Sequence, residues 1–108
     1  MKKPTLLKMN KHISYKLDQL FVEDVAVSEI TSNLRTPFYV YSRTSIKDNF
    51  DRFTRSLKGL DSIICYSVKA NSNLSVLETI AKLRGGADVV SPVSYTHLRA
   101  QRPIAISY

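Results

Sequence analysis

Two short apolar runs, "SIICYSV" at 62–68 and "ADVV" at 87–90, bracket a connector with helical periodicity, and this arrangement constrains the fold more than any other feature. The first run is apolar on both faces, as a strand covered on both sides must be. In the connector "NLSVLETIAKLR", apolar residues recur at Leu74, Leu77, Ile80, Ala81 and Leu83, so a helix is predicted there. Asn73 is a good N-cap, and Gly85-Gly86 ends the helix. Eighteen residues separate Val68 from Ala87, enough for a helical crossover between two parallel strands. The fold class is therefore α/β, with no internal repeat.

One residue in this unit is unusual for a buried strand. Lys69 directly follows the apolar run, and "ANSN", a small residue and three polar ones, comes next. The carboxyl end of a parallel strand is where α/β proteins build sites. A partly desolvated amine there can lose its proton and attack a carbonyl. The alternative is a strand-end lysine that snorkels to water, which is common. Position alone does not separate the two. Asn71 and Asn73 are sufficiently explained by capping, and Cys65 reads as a small core residue rather than a thiol nucleophile.

Upstream, Ile13, Tyr15 and Leu17 alternate, as do Leu20 and Val22, with Asp18-Gln19 between; this predicts a strand pair joined by a short turn. Val27, Ile30 and Leu34 share one face of a short helix that ends before Pro37. "FYVYS" at 38–42 predicts a short strand. Ile46, Phe50, Phe53 and Leu57 then form the apolar face of an amphipathic helix, capped by Thr44 or Ser42 and ended by Gly59.

The formal charge of +7 invites a nucleic-acid role, but its distribution argues against one. Residues 1–16 carry five lysines and no acid, residues 17–91 balance nine cations with nine acids, and the last 17 residues add Arg99 and Arg102. A phosphate-binding surface needs cations clustered on the folded body, and here the body is neutral. A small basic protein that binds RNA or a partner through its tails remains an alternative of a different class. The single cysteine excludes an internal disulfide and fits a reducing cytosol. His12 and His97 lie far apart, and no metal-ligand spacing occurs. No apolar run approaches the ~18 residues of a membrane span, and the basic start lacks the apolar core of a secretory signal. A cytoplasmic protein is expected, with no membrane and no nucleic-acid partner.

"YSVKANSNLSVLETIAKLRGGADVVS" resembles the N-terminal barrel segment of the fold-type III pyridoxal phosphate (PLP) decarboxylases, whose hallmark is a Tyr-x-Val-Lys-Ala-Asn strand end. "TPFYVYSRTSIKDNFDRF" is similar to that family's barrel entry, and the match covers roughly residues 12–91. The wording of "VKANSNLSVL" and "GADVVS" is typical of the branch acting on meso-diaminopimelate. The resemblance implies the start of a PLP-binding (β/α)8 barrel of the alanine-racemase type, preceded by strands of a β domain. It implies that Lys69 is the catalytic lysine that attaches PLP, and that Asp88 lies beside the amine or the cofactor. The implied activity is decarboxylation of meso-diaminopimelate to L-lysine in lysine biosynthesis, by a homodimer. Ornithine or arginine decarboxylases and alanine racemase are the neighbouring alternatives; the early strand pair and the "KANSN" wording disfavour single-barrel proteins and the racemase.

Four segments are thus expected: a basic tail at 1–11, a strand pair and short helix at 12–35, the barrel start at 36–91, and a tail at 92–108. The last reads "PVSYTHLRAQRPIAISY", departs from the family pattern, and resembles translated sequencing adapter. A chain with two of eight barrel strands is not expected to catalyse the reaction alone.

Overall fold

The computed structural model describes residues 10–89 and the backbone of 106–107. Among the described residues, those up to Ser45 form one compact unit and those from Ile46 form a second.

The first unit is a three-stranded antiparallel sheet in the order β1-β2-β3, with β1 at Ile13–Lys16, β2 at Gln19–Val22 and β3 at Val25–Ala26. The β1–β2 turn is Leu17-Asp18, both with positive φ (48° and 61°), the twist that suits a two-residue hairpin. The turn therefore falls one residue earlier than expected, and Leu17 is 98% exposed at its tip. The cause is register. The observed pairing sets Ile13 against Val22 and Tyr15 against Leu20, whereas a turn at Asp18-Gln19 would set Ile13 against Asp24. Apolar cross-strand pairs decide between the two. The two-residue β3 had no signal in the sequence. Helix α1, Val27–Asn33, comes directly after it and closes with the Leu34 N–H donating to the Ile30 carbonyl, three residues before Pro37.

Residues 38–42 are not a strand, contrary to expectation. β-propensity there finds no ladder partner among the described residues, and Tyr39 is 91% exposed. Helix α2 runs from Arg43 to Ser56. Ser42 is its cap: its Oγ accepts from the Ser45 N–H at 3.0 Å. The capping extends across the unit, because Glu23 Oε1 accepts from Ser42 Oγ at 2.7 Å and from the Thr44 N–H at 2.8 Å. A carboxylate placed on the unpaired N–H groups of a helix start is favoured by both hydrogen bonding and the helix dipole. The Thr44 hydroxyl and N–H, then Ser42, with His12 nearby, hold the Glu23 carboxyl down from 4.5 to about 2.

In the second unit β4 (Cys65–Ser67), β5 (Gly86–Asp88) and β6 (Ile106–Ser107) form a parallel sheet in that order. Helix α3, Leu74–Lys82, makes the crossover from β4 to β5, as the two apolar runs and the helical connector require. Val68, Leu77, Ala87 and Val89 are each at most 2% exposed and form the core, with Tyr66 packed against them. Val76 and Thr79 are also buried on α3 while Leu74 is half exposed, so the buried face is rotated from the expected one. The Thr79 hydroxyl is satisfied by donating to the Ser75 carbonyl at 2.7 Å. Strand β4 is shorter than the apolar run, and Ile63 and Cys65 are exposed. Cys65 is therefore not a core residue, because its side of the strand end has no covering element among the described residues.

The end of α3 corrects the expected glycine stop. Arg84 N–H donates to the Ala81 carbonyl and Gly85 N–H to the Ile80 carbonyl, the paired bonds of a Schellman closure. The left-handed position falls on Arg84, φ 63°, not on a glycine. Gly85 serves packing instead: a Cβ there would lie 2.6 Å from Ile80 Cγ2 and 2.9 Å from Phe50 Cε2. Of the expected tail at 92–108, only the backbone of 106–107 lies within the described residues, and it runs parallel to β5.

Candidate functional site at the strand ends

Lys69 is the middle residue of a 3₁₀ turn, Val68–Ala70, that begins where β4 stops. Val68, before it, is 1% exposed and anchors the turn in the core, while the Lys69 side chain is exposed. The turn is tied on both sides. Tyr66 Oη, from β4, donates to the Asn71 carbonyl at 2.9 Å, spanning the turn. Asn71 Oδ1 accepts from the Asn73 N–H, and Asn73 Oδ1 accepts from the Ser75 N–H, each at 2.9 Å. Asn73 is thus the N-cap of α3, as its position suggested, and Asn71 links that cap to the lysine turn. The two asparagines, expected as caps, form a relay of side-chain-to-backbone bonds leading into the helix.

Asp88 is the last residue of β5, directly in register with Ser67 at the end of β4. Both Lys69 and Asp88 therefore stand at the carboxyl ends of adjacent parallel strands. Ala87 and Val89 belong to the core under α3, so by strand alternation Asp88 and its neighbour Ser67 face the other side of the sheet. Asp88 is partly buried. No ion pair joins Lys69 and Asp88, and among the described residues no hydrogen-bond or ion-pair partner engages the Lys69 amine. A primary amine left unengaged at a strand end suits attachment of an aldehyde-bearing group, and the carboxylate on the next strand offers an anionic, proton-accepting contact nearby.

A hollow of about 540 Å³ lies elsewhere, lined by Phe50, Leu57, Leu60, Ile63, Ile64 and Leu83 together with Arg55, Lys58 and Arg84. Its residues precede β4 and β5, so it sits at the amino ends of the strands, opposite Lys69. Its lining holds no carboxylate, and its polar side chains are Thr54, Ser62 and the three cations. Chemistry at the strand carboxyl ends follows the general rule for parallel sheets, and the hollow does not compete for it. Among the described residues no cluster of three metal-ligating side chains occurs, and no helix is long and apolar enough to cross a membrane.

The sequence singled out Lys69 and Asp88 but gave no role to Glu23, or to Tyr66 beyond its place in the motif. A hydroxyl reaching five residues ahead and a carboxylate reaching 21 residues ahead leave no local pattern.

Comparison with known proteins gives one consistent answer. No family model matches the chain. The diaminopimelate decarboxylase of Pseudomonas fluorescens is 45% identical over 78 residues, covering 72% of this chain and 19% of that protein. The crystal structure of diaminopimelate decarboxylase from M. jannaschi superposes with a TM-score of 0.78 at 30% identity, covering 91% of this chain and 25% of that one. The Helicobacter pylori diaminopimelate decarboxylase complexed with L-lysine gives a TM-score of 0.66 at 41% identity, over 74% of this chain and 21% of that one. The chain spans about a fifth of the length of the curated relatives it matches.

Proposed function

We propose that this chain, whose sequence and fold match diaminopimelate decarboxylases over most of its length, is the part of such an enzyme that carries the cofactor lysine, Lys69. The observation that carries this reading is the position of Lys69: on a turn pinned to the core, immediately after the carboxyl end of a parallel strand, beside the strand end that bears Asp88. The fold is the beginning of a PLP-binding (β/α)8 barrel, with the antiparallel strands of the first unit belonging to a β domain. A barrel of this kind takes ~250 residues, so catalysis belongs to a protein that completes it.

The residues present fit the attachment of PLP. Lys69 would hold the cofactor through its amine, and Asp88 would stand at the neighbouring strand end, where a carboxylate can orient a protonated group. PLP, when bound, supplies the electron sink that lets a carboxylate leave an amino-acid α-carbon. This chain contributes the fixed position of the amine: Val68 anchors the turn from below and the Tyr66–Asn71 bond spans it from above. The substrate is meso-diaminopimelate and the product L-lysine, the ligand present in the Helicobacter pylori relative's structure. A homodimer and a cytoplasmic location accompany this assignment. Exposed apolar side chains such as Tyr39, Leu60 and Ile63 support cover by further parts of a larger assembly.

The test is covalent. The chain is incubated with PLP, reduced with borohydride and digested, and each lysine's modification is measured by mass spectrometry. Lys69 is expected to be modified well ahead of the exposed Lys47 and Lys82, and Lys69→Arg to abolish that excess. Modification spread evenly over the lysines would overturn the reading. In a protein that completes the barrel, Lys69→Ala is expected to eliminate carbon dioxide release from meso-diaminopimelate.

A further inference from the structure

We propose that Tyr66 is a positioning residue for Lys69, acting through the Asn71 carbonyl. The inference rests on the assignment of Lys69 as the attachment lysine. Tyr66 divides into two working parts. Its ring packs against the cluster of Val68, Leu77, Ala87 and Val89 under α3, which fixes where the phenol can point. Its hydroxyl then donates to the Asn71 carbonyl at 2.9 Å. Lys69 lies inside the loop that this bond closes, three residues beyond Tyr66 and two before Asn71.

The backbone around the lysine needs such a tie. A single 3₁₀ turn holds itself together weakly, and the chain leaves it at Asn71 in an extended conformation, φ −163° and ψ 112°. Val68 secures the start of the turn by burial, and the Asn71–Asn73 relay secures the segment leading into α3. The Tyr66 hydroxyl joins the two sides directly. With it, the Lys69 Cα is set relative to the strand end and hence relative to Asp88. Without it, the turn keeps its anchors but gains freedom between them, and the amine samples more orientations. Asn71 links the two ties, because its side chain accepts from Asn73 while its carbonyl accepts from Tyr66.

Tyr66→Phe tests this with little change in packing, since only the hydroxyl is removed. The full chain is treated with PLP and borohydride, and the ratio of Lys69 to Lys82 modification is followed against pH. Lys82, on α3, is the internal reference. The wild-type ratio is expected to fall about two- to tenfold in Tyr66→Phe, the range that one intramolecular hydrogen bond spans. Gly85→Ala, which crowds Ile80 and Phe50 at the other end of α3, is expected to lower the thermal midpoint and leave the ratio unchanged. An unchanged ratio in Tyr66→Phe overturns the positioning role while the attachment role of Lys69 stands. Equal losses in Tyr66→Phe and Gly85→Ala also overturn it, because the hydroxyl would then act only through general stability. A wild-type chain that shows no preference for Lys69 removes the attachment assignment itself, and this inference with it. Should Tyr66→Phe lose its far-UV circular dichroism, a semisynthetic chain with an ester in place of the Asn71–Ser72 amide replaces it. The ester weakens the Asn71 carbonyl as an acceptor and leaves Tyr66 intact, and the same fall in ratio is expected.

Discussion

Glu23 joins the β2–β3 turn to the start of α2, and replacing it with glutamine separates charge from shape. Its Oε1 accepts from Ser42 Oγ at 2.7 Å and the Thr44 N–H at 2.8 Å, and the Thr44 hydroxyl contributes most to lowering the carboxyl from 4.5 to about 2. That displacement corresponds to about 3 kcal/mol before solvent screening. Glu23 is only partly buried, so about 1–2 kcal/mol is expected to reach folding stability. The sign follows from the folded carboxyl lying below the unfolded one. Stabilisation is fully present above about pH 4.5 and is lost as the pH falls towards about 2. Glu23→Gln keeps an acceptor oxygen and loses the charge. It is expected to cost about 1–2 kcal/mol at neutral pH and almost nothing near pH 2. Urea unfolding of both proteins across this range, followed by circular dichroism, measures the difference. Carbon-detected NMR titration of the Glu23 carboxyl provides the direct check. A carboxyl that titrates near 4.5, or equal stabilities of the two proteins at neutral pH, would refute the capping argument.

Three further substitutions probe the second unit. Gly85→Ala places a methyl group against Ile80 and Phe50 and is expected to cost about 1–3 kcal/mol, with much of the loss recovered in an Ile80→Ala background, as a double-mutant cycle by urea unfolding would measure. Arg84→Gly relieves a left-handed backbone position on a non-glycine residue and is expected to stabilise by about 1 kcal/mol, seen as a raised thermal midpoint. Leu77→Ala removes a side chain only 1% exposed from the centre of the core; a loss of about 2–5 kcal/mol is expected, enough to unfold the second unit in calorimetry.

Much of the architecture could be read from local pattern. The helical spacing through Leu77 and Ile80, the N-cap at Asn73 and the two flanking apolar runs imposed a parallel crossover, and the structure contains it. The strand-end position of Lys69 followed from the same pattern. Where local pattern failed, a distant partner had decided. Leu17 alternates with Tyr15 as a strand residue should, but the pairing of Ile13 with Val22 puts it at the turn. "FYVYS" has the composition of a strand, and no neighbouring strand pairs with it among the described residues. Cys65 looked like core and is exposed because alternation along β4 turns it away from the face on which Tyr66 meets the core.

The sequence by itself determined the α/β class, the helix boundaries within a few residues, and the place of Lys69 just after a strand end, because periodicity, caps and apolar runs are properties of neighbouring residues. Tertiary structure alone decided the rest. It moved the left-handed closure of α3 onto Arg84, since Gly85 was needed where Ile80 and Phe50 crowd the backbone. It chose Glu23 to cap a helix that begins 20 residues later. It brought Asp88 into register with Ser67, beside the turn that holds Lys69. Each of these depends on which backbone groups meet in space, and hydrogen bonds and steric contacts act over a few ångströms, whatever the separation along the chain.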